Sequence, residues 1–128
     1  MKKWILRLFY WFVGDDRGGF RASSADISLA RALRNEYRWR KARDAHLKKE
    51  AQCQMCGVKR ELEVHHVKPW HLFEALRYED ANLITLCQPC HFRFGHLLDW
   101  KSWNPGIRDL TGWVRGFIQE QAMTKEHA

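Results

Sequence analysis

Four cysteines in two pairs constrain this chain more than any other feature. They stand as Cys53-Gln54-Met55-Cys56 and Cys87-Gln88-Pro89-Cys90, and the sequence contains no others. A Cys-x-x-Cys turn brings two thiolates onto one metal ion at tetrahedral angles, so two such turns complete a closed four-sulfur site with no position left for chemistry. Gly57, directly after the first pair, supplies the positive φ that a backbone wrapping around sulfur requires. The spacing points to structural zinc, with two disulfides or a rubredoxin-like iron site as alternatives. A thioredoxin-type redox pair would need a βαβ setting, which is missing. Zinc also compensates for the small core of a 128-residue chain, long enough for one domain with a helical appendage.

Once the sulfurs are assigned, the histidines remain. His65 and His66 follow Glu61-Leu62-Glu63-Val64, whose alternation predicts a short half-buried strand with Leu62 and Val64 inward. Adjacent residues on a strand face opposite ways, so such a pair divides its labour: one imidazole suits a metal and the other suits a water. By themselves the two rings are equally well read as surface histidines beside a zinc knuckle, or as a spare zinc ligand. Their company shifts that balance, because Asn82, His91 and His96 fall in the same stretch.

These residues carry a resemblance. Val64-His65-His66-Val67-x-Pro69, followed by Asn82-Leu83-Ile84-Thr85-Leu86-Cys87-x-x-Cys90-His91, resembles the HNH endonucleases, the zinc-containing branch of the ββα-metal or His-Me finger nucleases. The resemblance runs from Cys53 to His91. It implies an α+β fold: a small ββα-metal, treble-clef-like core with zinc knuckles, flanked by N-terminal and C-terminal helices. It further implies that His66 is the general base, His65 the metal ligand before it, Asn82 the middle asparagine, and His91 the metal ligand opening the last helix. The family more often places Asp where this chain has His65, although colicin-like nucleases also carry a histidine doublet.

The chemistry gives these residue types their reason. Hydrolysis of a phosphodiester needs a water deprotonated near neutral pH, which an imidazole with an ordinary pKa of about 6.5 can achieve. It also needs positive charge beside the phosphate and the departing 3′ oxygen, which a divalent ion on His65 and His91 would supply. Asn82 has no titratable proton, and its expected role is to tie down the loop that holds the base. His96 lies five residues beyond His91, roughly 140° around a regular helix, so it joins the same ion only if the helix departs from regularity. It is therefore either a third ligand or a phosphate contact or cap. Nitrogen ligands suit Mn2+, Co2+, Ni2+ or Zn2+ at least as well as Mg2+. The expected function is metal-dependent DNA cleavage, double-stranded DNA being favoured through the resemblance. The alternative is a non-catalytic, zinc-stabilised nucleic-acid-binding module.

The rest of the chain divides into three further segments. Residues 1–20 contain the apolar run Trp4–Val13, too short for a bilayer span and interrupted by Arg7, followed by a glycine-rich turn. It is expected to be an amphipathic helix packed on the domain, on a second copy or on a partner protein, with membrane-surface contact or a secretion signal as alternatives and no integral membrane segment. Residues 21–50 form a basic helix that opens on Ser23-x-x-Asp26. Its Arg34, Arg38 and Lys41, with Arg93 further on, are candidate phosphate contacts, since arginine suits phosphate and releases counterions on binding. Residues 51–100 hold the nuclease core, and residues 101–128 a C-terminal helix and tail with Ile107, Leu110, Val114, Phe117 and Ile118 in helical phase. Trp100, Trp103 and Trp113 are expected in the core or at a dimer contact. The net charge of +7 favours a polyanionic partner, and four cysteines in two ligand-spaced pairs fit a reducing cytoplasm.

Overall fold

The structure is a computed structural model that describes residues 23–126. The apolar N-terminal segment and His127 lie outside the described residues. The chain divides into two units between Tyr37 and Arg38, and every contact described below, the helix cap at Ser23 excepted, lies within the second. No helix among the described residues is long and apolar enough to cross a membrane.

Helix α1 spans Ser24–Lys49. Its start is a reciprocal cap: Ser23 Oγ accepts from the Asp26 N–H at 3.2 Å, while the Asp26 carboxylate accepts from the Ser23 N–H at 3.0 Å. Its end is fastened by polar contacts. His46, 3% exposed, places Nδ1 2.9 Å from Asp80 Oδ1 and Nε2 3.0 Å from Glu50 Oε2. The same Glu50 oxygen accepts from the Thr85 N–H at 3.0 Å, and Lys49 pairs with Asp80 at 3.0 Å. These contacts tie the helix terminus to the sheet.

The sheet is a two-stranded antiparallel ribbon, β1 (Leu62–His66) against β2 (Leu83–Cys87), with Leu62 opposite Cys87 and His66 opposite Leu83. Every residue of β2 is buried. That requires both of its faces to be covered, and its sequence Leu-Ile-Thr-Leu-Cys is apolar apart from the buried Thr85. Helix α2 (Gln88–Cys90) follows directly and continues as a π-helical turn over His91–Gly95. The chain from β1 through β2 to α2 is the expected ββα unit. The helix ends before Leu97 and Leu98, which adopt φ of 55° and 67°.

Helix α3 (Ile107–Glu126) closes the core. Ile107 is fully buried against Met55, Ile84 and Leu86, and Leu110 and Val114 pack beside it. The Arg108 guanidinium donates to the carbonyls of Ala81 and Leu83, the latter at 3.0 Å. Arg115 donates to Gln54 Oε1 at 2.6 Å. Beyond that point the expected apolar phase outruns the core, leaving Phe117 and Ile118 exposed. Trp113, 70% exposed, is not a core residue. Between the strands, Leu72 and Phe73 are exposed, and this loop is held by hydrogen bonds to its backbone.

Candidate functional site

The four sulfurs converge. Cys53, Cys56, Cys87 and Cys90 are unpaired, and their Sγ atoms all lie within 4.8 Å of one another. Cys56 and Cys87 Sγ are 3.7 Å apart. Four Zn–S bonds of about 2.3 Å in a tetrahedron set sulfurs about 3.8 Å apart, so the spacing fits zinc and not a disulfide. The first knuckle forms as its sequence requires. The Gly57 N–H donates to Cys53 O at 2.8 Å, and Gly57 takes φ +82°. The cage is closed and structural. Burial pushes the Cys87 and Cys90 thiols up. At Cys53 burial acts the same way, but hydrogen bonds from the backbone at Cys56, Cys87 and Met55 outweigh it and bring the thiol down to about 7. Four thiolates together therefore need a cation among them.

A second cluster lies apart from the sulfurs. His65 on β1 meets His91 and His96 from the two ends of the π turn, with ligand atoms within 4.8 Å of one another. His91 Nε2 is 3.0 Å from His65 Nδ1 and 3.2 Å from His96 Nε2. The irregular helix makes this meeting possible. The His96 N–H bonds back to His91 O at 3.0 Å, five residues away, which returns His96 to the face that a regular helix would have denied it. Gly95, inside that turn, is required by close approach: a Cβ there would stand 3.1 Å from His65 Cε1 and 3.3 Å from His91 Cδ2. It makes room for the rings and does not break the helix.

The outer nitrogens fix the inner ones. His96 Nδ1 lies 2.8 Å from the Ser102 carbonyl, which can only accept, so Nδ1 carries the proton and Nε2 holds a lone pair. His91 Nδ1 is bound by the Glu63 carboxylate, which leaves its Nε2 in the same state. Two lone pairs facing each other at 3.2 Å repel unless a proton or a cation lies between them. Burial, followed by the charges of His91, His96 and His66, lowers His65 to about 3, so protonation of this ring is disfavoured. Burial also lowers His91, although Glu63 opposes it. Neutral, inward-facing imidazoles suit a cation. Metal–nitrogen bonds of about 2.1 Å would set such nitrogens about 3.0–3.4 Å apart.

His66 faces elsewhere, as alternation along a strand predicts. Its Nε2 is 2.9 Å from the Arg77 carbonyl, and burial lowers its pKa, with the Arg77 carbonyl opposing and the Arg77 charge adding. Asn82, buried, closes the loop between the strands. It accepts from the Lys68 N–H at 2.9 Å and donates to Lys68 O at 3.0 Å and Leu76 O at 3.2 Å. Among the candidate phosphate contacts, Arg34, Lys41 and Arg93 are exposed, and Arg38 lies 4.2 Å over the Tyr78 ring.

Two participants escaped the sequence reading. Glu63 sits two residues before His65 on the same strand face, and that period-two spacing was the available signal. Trp100, expected in the core or at a dimer contact, is 56% exposed and lies over the histidine cluster, 4.9 Å from the His96 ring and 5.6 Å from His91, a place that nothing in its surroundings in the sequence marked.

This ββα unit, with its sulfur cage and separate histidine triad, defines a hydrolytic nuclease of the His-Me finger class. Residues 53–96 match the family model described as HNH endonuclease, and this segment of the chain is an HNH endonuclease domain. No curated protein and no solved structure matches the chain.

Proposed function

We propose that the chain hydrolyses DNA phosphodiester bonds, with His66 activating water and a divalent cation held by His65, His91 and His96. The supporting observation is the inward aim of the triad's nitrogens, whose outer partners at His91 and His96 are hydrogen-bond acceptors. Bound there, the cation would supply positive charge beside the phosphate and the departing 3′ oxygen. Mn2+, Co2+, Ni2+ or Zn2+ would serve at least as well as Mg2+, since the donors are nitrogen.

The protein's own residues perform the proton chemistry. Because a carbonyl only accepts, His66 donates Nε2–H to Arg77 and keeps an unprotonated Nδ1, which takes the proton from water. Burial holds the ring neutral before the reaction. Asn82 does not touch the reacting atoms. Its bond to Leu76 O fixes the residue next to Arg77, and through that carbonyl the orientation of the base. Arg34, Arg38, Lys41 and Arg93 would contact the backbone of double-stranded DNA, which positions the substrate without reading its sequence. The setting that keeps the cysteines reduced is the cytoplasm.

The test is cleavage of supercoiled plasmid across a panel of divalent ions by wild type and His66→Ala. The variant should lose on the order of 10²–10⁴ in rate while still binding DNA and retaining zinc. If both proteins bind the plasmid and neither cuts it with any ion, the chain is a zinc-stabilised binding module.

A further inference from the structure

We propose that Trp39, on α1, is a positioning residue for the His66 imidazole, holding the plane of the ring while the Arg77 carbonyl holds its edge. The proposal rests on the reading of His66 as the base and deepens it. The indole stacks on the imidazole with ring centroids 4.6 Å apart and planes inclined by 25°. The last torsion of a histidine side chain is broad and nearly two-fold, so its own rotamer preference does not decide where Nδ1 points. One hydrogen bond fixes a direction but leaves the ring free to rock about the N–H···O line. A flat partner against one face removes that freedom. With both restraints, Nδ1 has one orientation.

The neighbouring residue acts on the same imidazole from its other restraint. The Arg38 guanidinium lies 4.2 Å over Tyr78, and that of Arg77 lies 4.1 Å over Trp70 and 5.4 Å from Tyr78. This layering of cations and rings ties the segment that carries the Arg77 carbonyl to α1. Consecutive residues of the basic helix therefore set the face of the base and the acceptor at its edge. The helix that bears the candidate phosphate contacts also completes the catalytic side chain.

The experiment compares Trp39→Phe, Trp39→Leu and Trp39→Ala with wild type and His66→Ala, all in the full chain with its zinc. Leucine retains bulk without a flat face, and phenylalanine retains the face. A misplaced catalytic group loses about 10²-fold, so Trp39→Ala and Trp39→Leu should lose about 10–100-fold in kcat. KM for DNA should stay within about twofold, and Trp39→Phe should recover most of the rate. By NMR, without added divalent cation, the His66 ring protons should show the upfield displacement of an aromatic neighbour. They should keep it in Trp39→Phe and lose it in Trp39→Leu. Equal kcat in the leucine and phenylalanine variants overturns the proposal, as does a change confined to KM, which would make Trp39 a DNA contact. If Trp39→Ala fails to fold, the leucine and phenylalanine pair still decides. Full activity in His66→Ala would instead overturn the assignment of the base, whatever Trp39 does.

Discussion

The two ligand clusters of this domain are built on opposite plans. In the cage each cysteine offers one donor atom, four donors complete the shell, and nothing further is needed to aim them. In the triad each imidazole has two nitrogens, and at His91 and His96 the outer one is oriented by Glu63 and by the Ser102 carbonyl. The cage is assembled from two local turns, whereas the triad joins a strand to an irregular helix. A closed shell made locally serves the fold. An incomplete shell made by the fold would leave room on a bound cation for a water and a substrate oxygen, as the proposed chemistry requires.

The comparison is broken most severely at the cage. Cys90 ends α2 and immediately precedes His91, so loss of zinc should release both clusters, while loss of the triad should leave the cage intact. Structural zinc contributes about 10–16 kcal/mol of apparent binding energy in small zinc peptides, more than a small domain can spare. Cys90→Ser should therefore lose helical circular dichroism, zinc and cleavage together. His91→Ala should keep its fold and one zinc per chain. A folded, active Cys90→Ser protein would show that the cage is dispensable.

Glu63 sharpens the contrast next. Removing an orienting partner from a metal-ligating histidine typically weakens affinity about 10–100-fold. Calorimetric titration of Glu63→Ala with Mn2+ or Co2+ should show a loss in that range, with the zinc content of the cage unchanged. Unaltered affinity would mean that the His91 ring is held by its packing alone.

How far each cluster could be read from the sequence follows the same division. The cage was legible because three-residue spacing and Gly57 encode a knuckle without help from the rest of the chain. The splitting of His65 from His66 was legible because strand periodicity is strict. His96 was not, since the 100° step of a regular helix places it on the wrong face and no residue type announces a π turn. Nor was Gly95, whose missing side chain is what lets the rings approach. Trp39 and Trp100 act through contacts with residues far along the chain or across a bend, so local pattern carried no sign of them. His46 fastens α1 to the strand pair through Asp80, a partner that only the fold brings near, and through Glu50 four residues on. The basic helix itself was legible to within a few residues, because its cap and uninterrupted composition are local.

The smallest expected effect separates the clusters by proton linkage. His65 is lowered to about 3 by burial and by its histidine neighbours, against about 6.5 in an unfolded chain. Between those values the unfolded state binds a proton that the folded state refuses, so stability rises with pH across the window and falls as pH drops below about 6.5. One such proton contributes at most about 1.4 kcal/mol per pH unit. The cage also loses stability in acid, because its thiolates must protonate, but that contribution is common to wild type and to His65→Gln and cancels in their difference. Urea midpoints measured from pH 7 to pH 5, with zinc in the cage and no other divalent ion, should fall more steeply for wild type than for His65→Gln. A cation added to the triad should steepen the wild-type slope further, since protons and metal compete for the same lone pairs. Parallel slopes in the two proteins would mean that His65 accepts a proton in the folded state, and the triad would then lose its claim to be a preformed cation site.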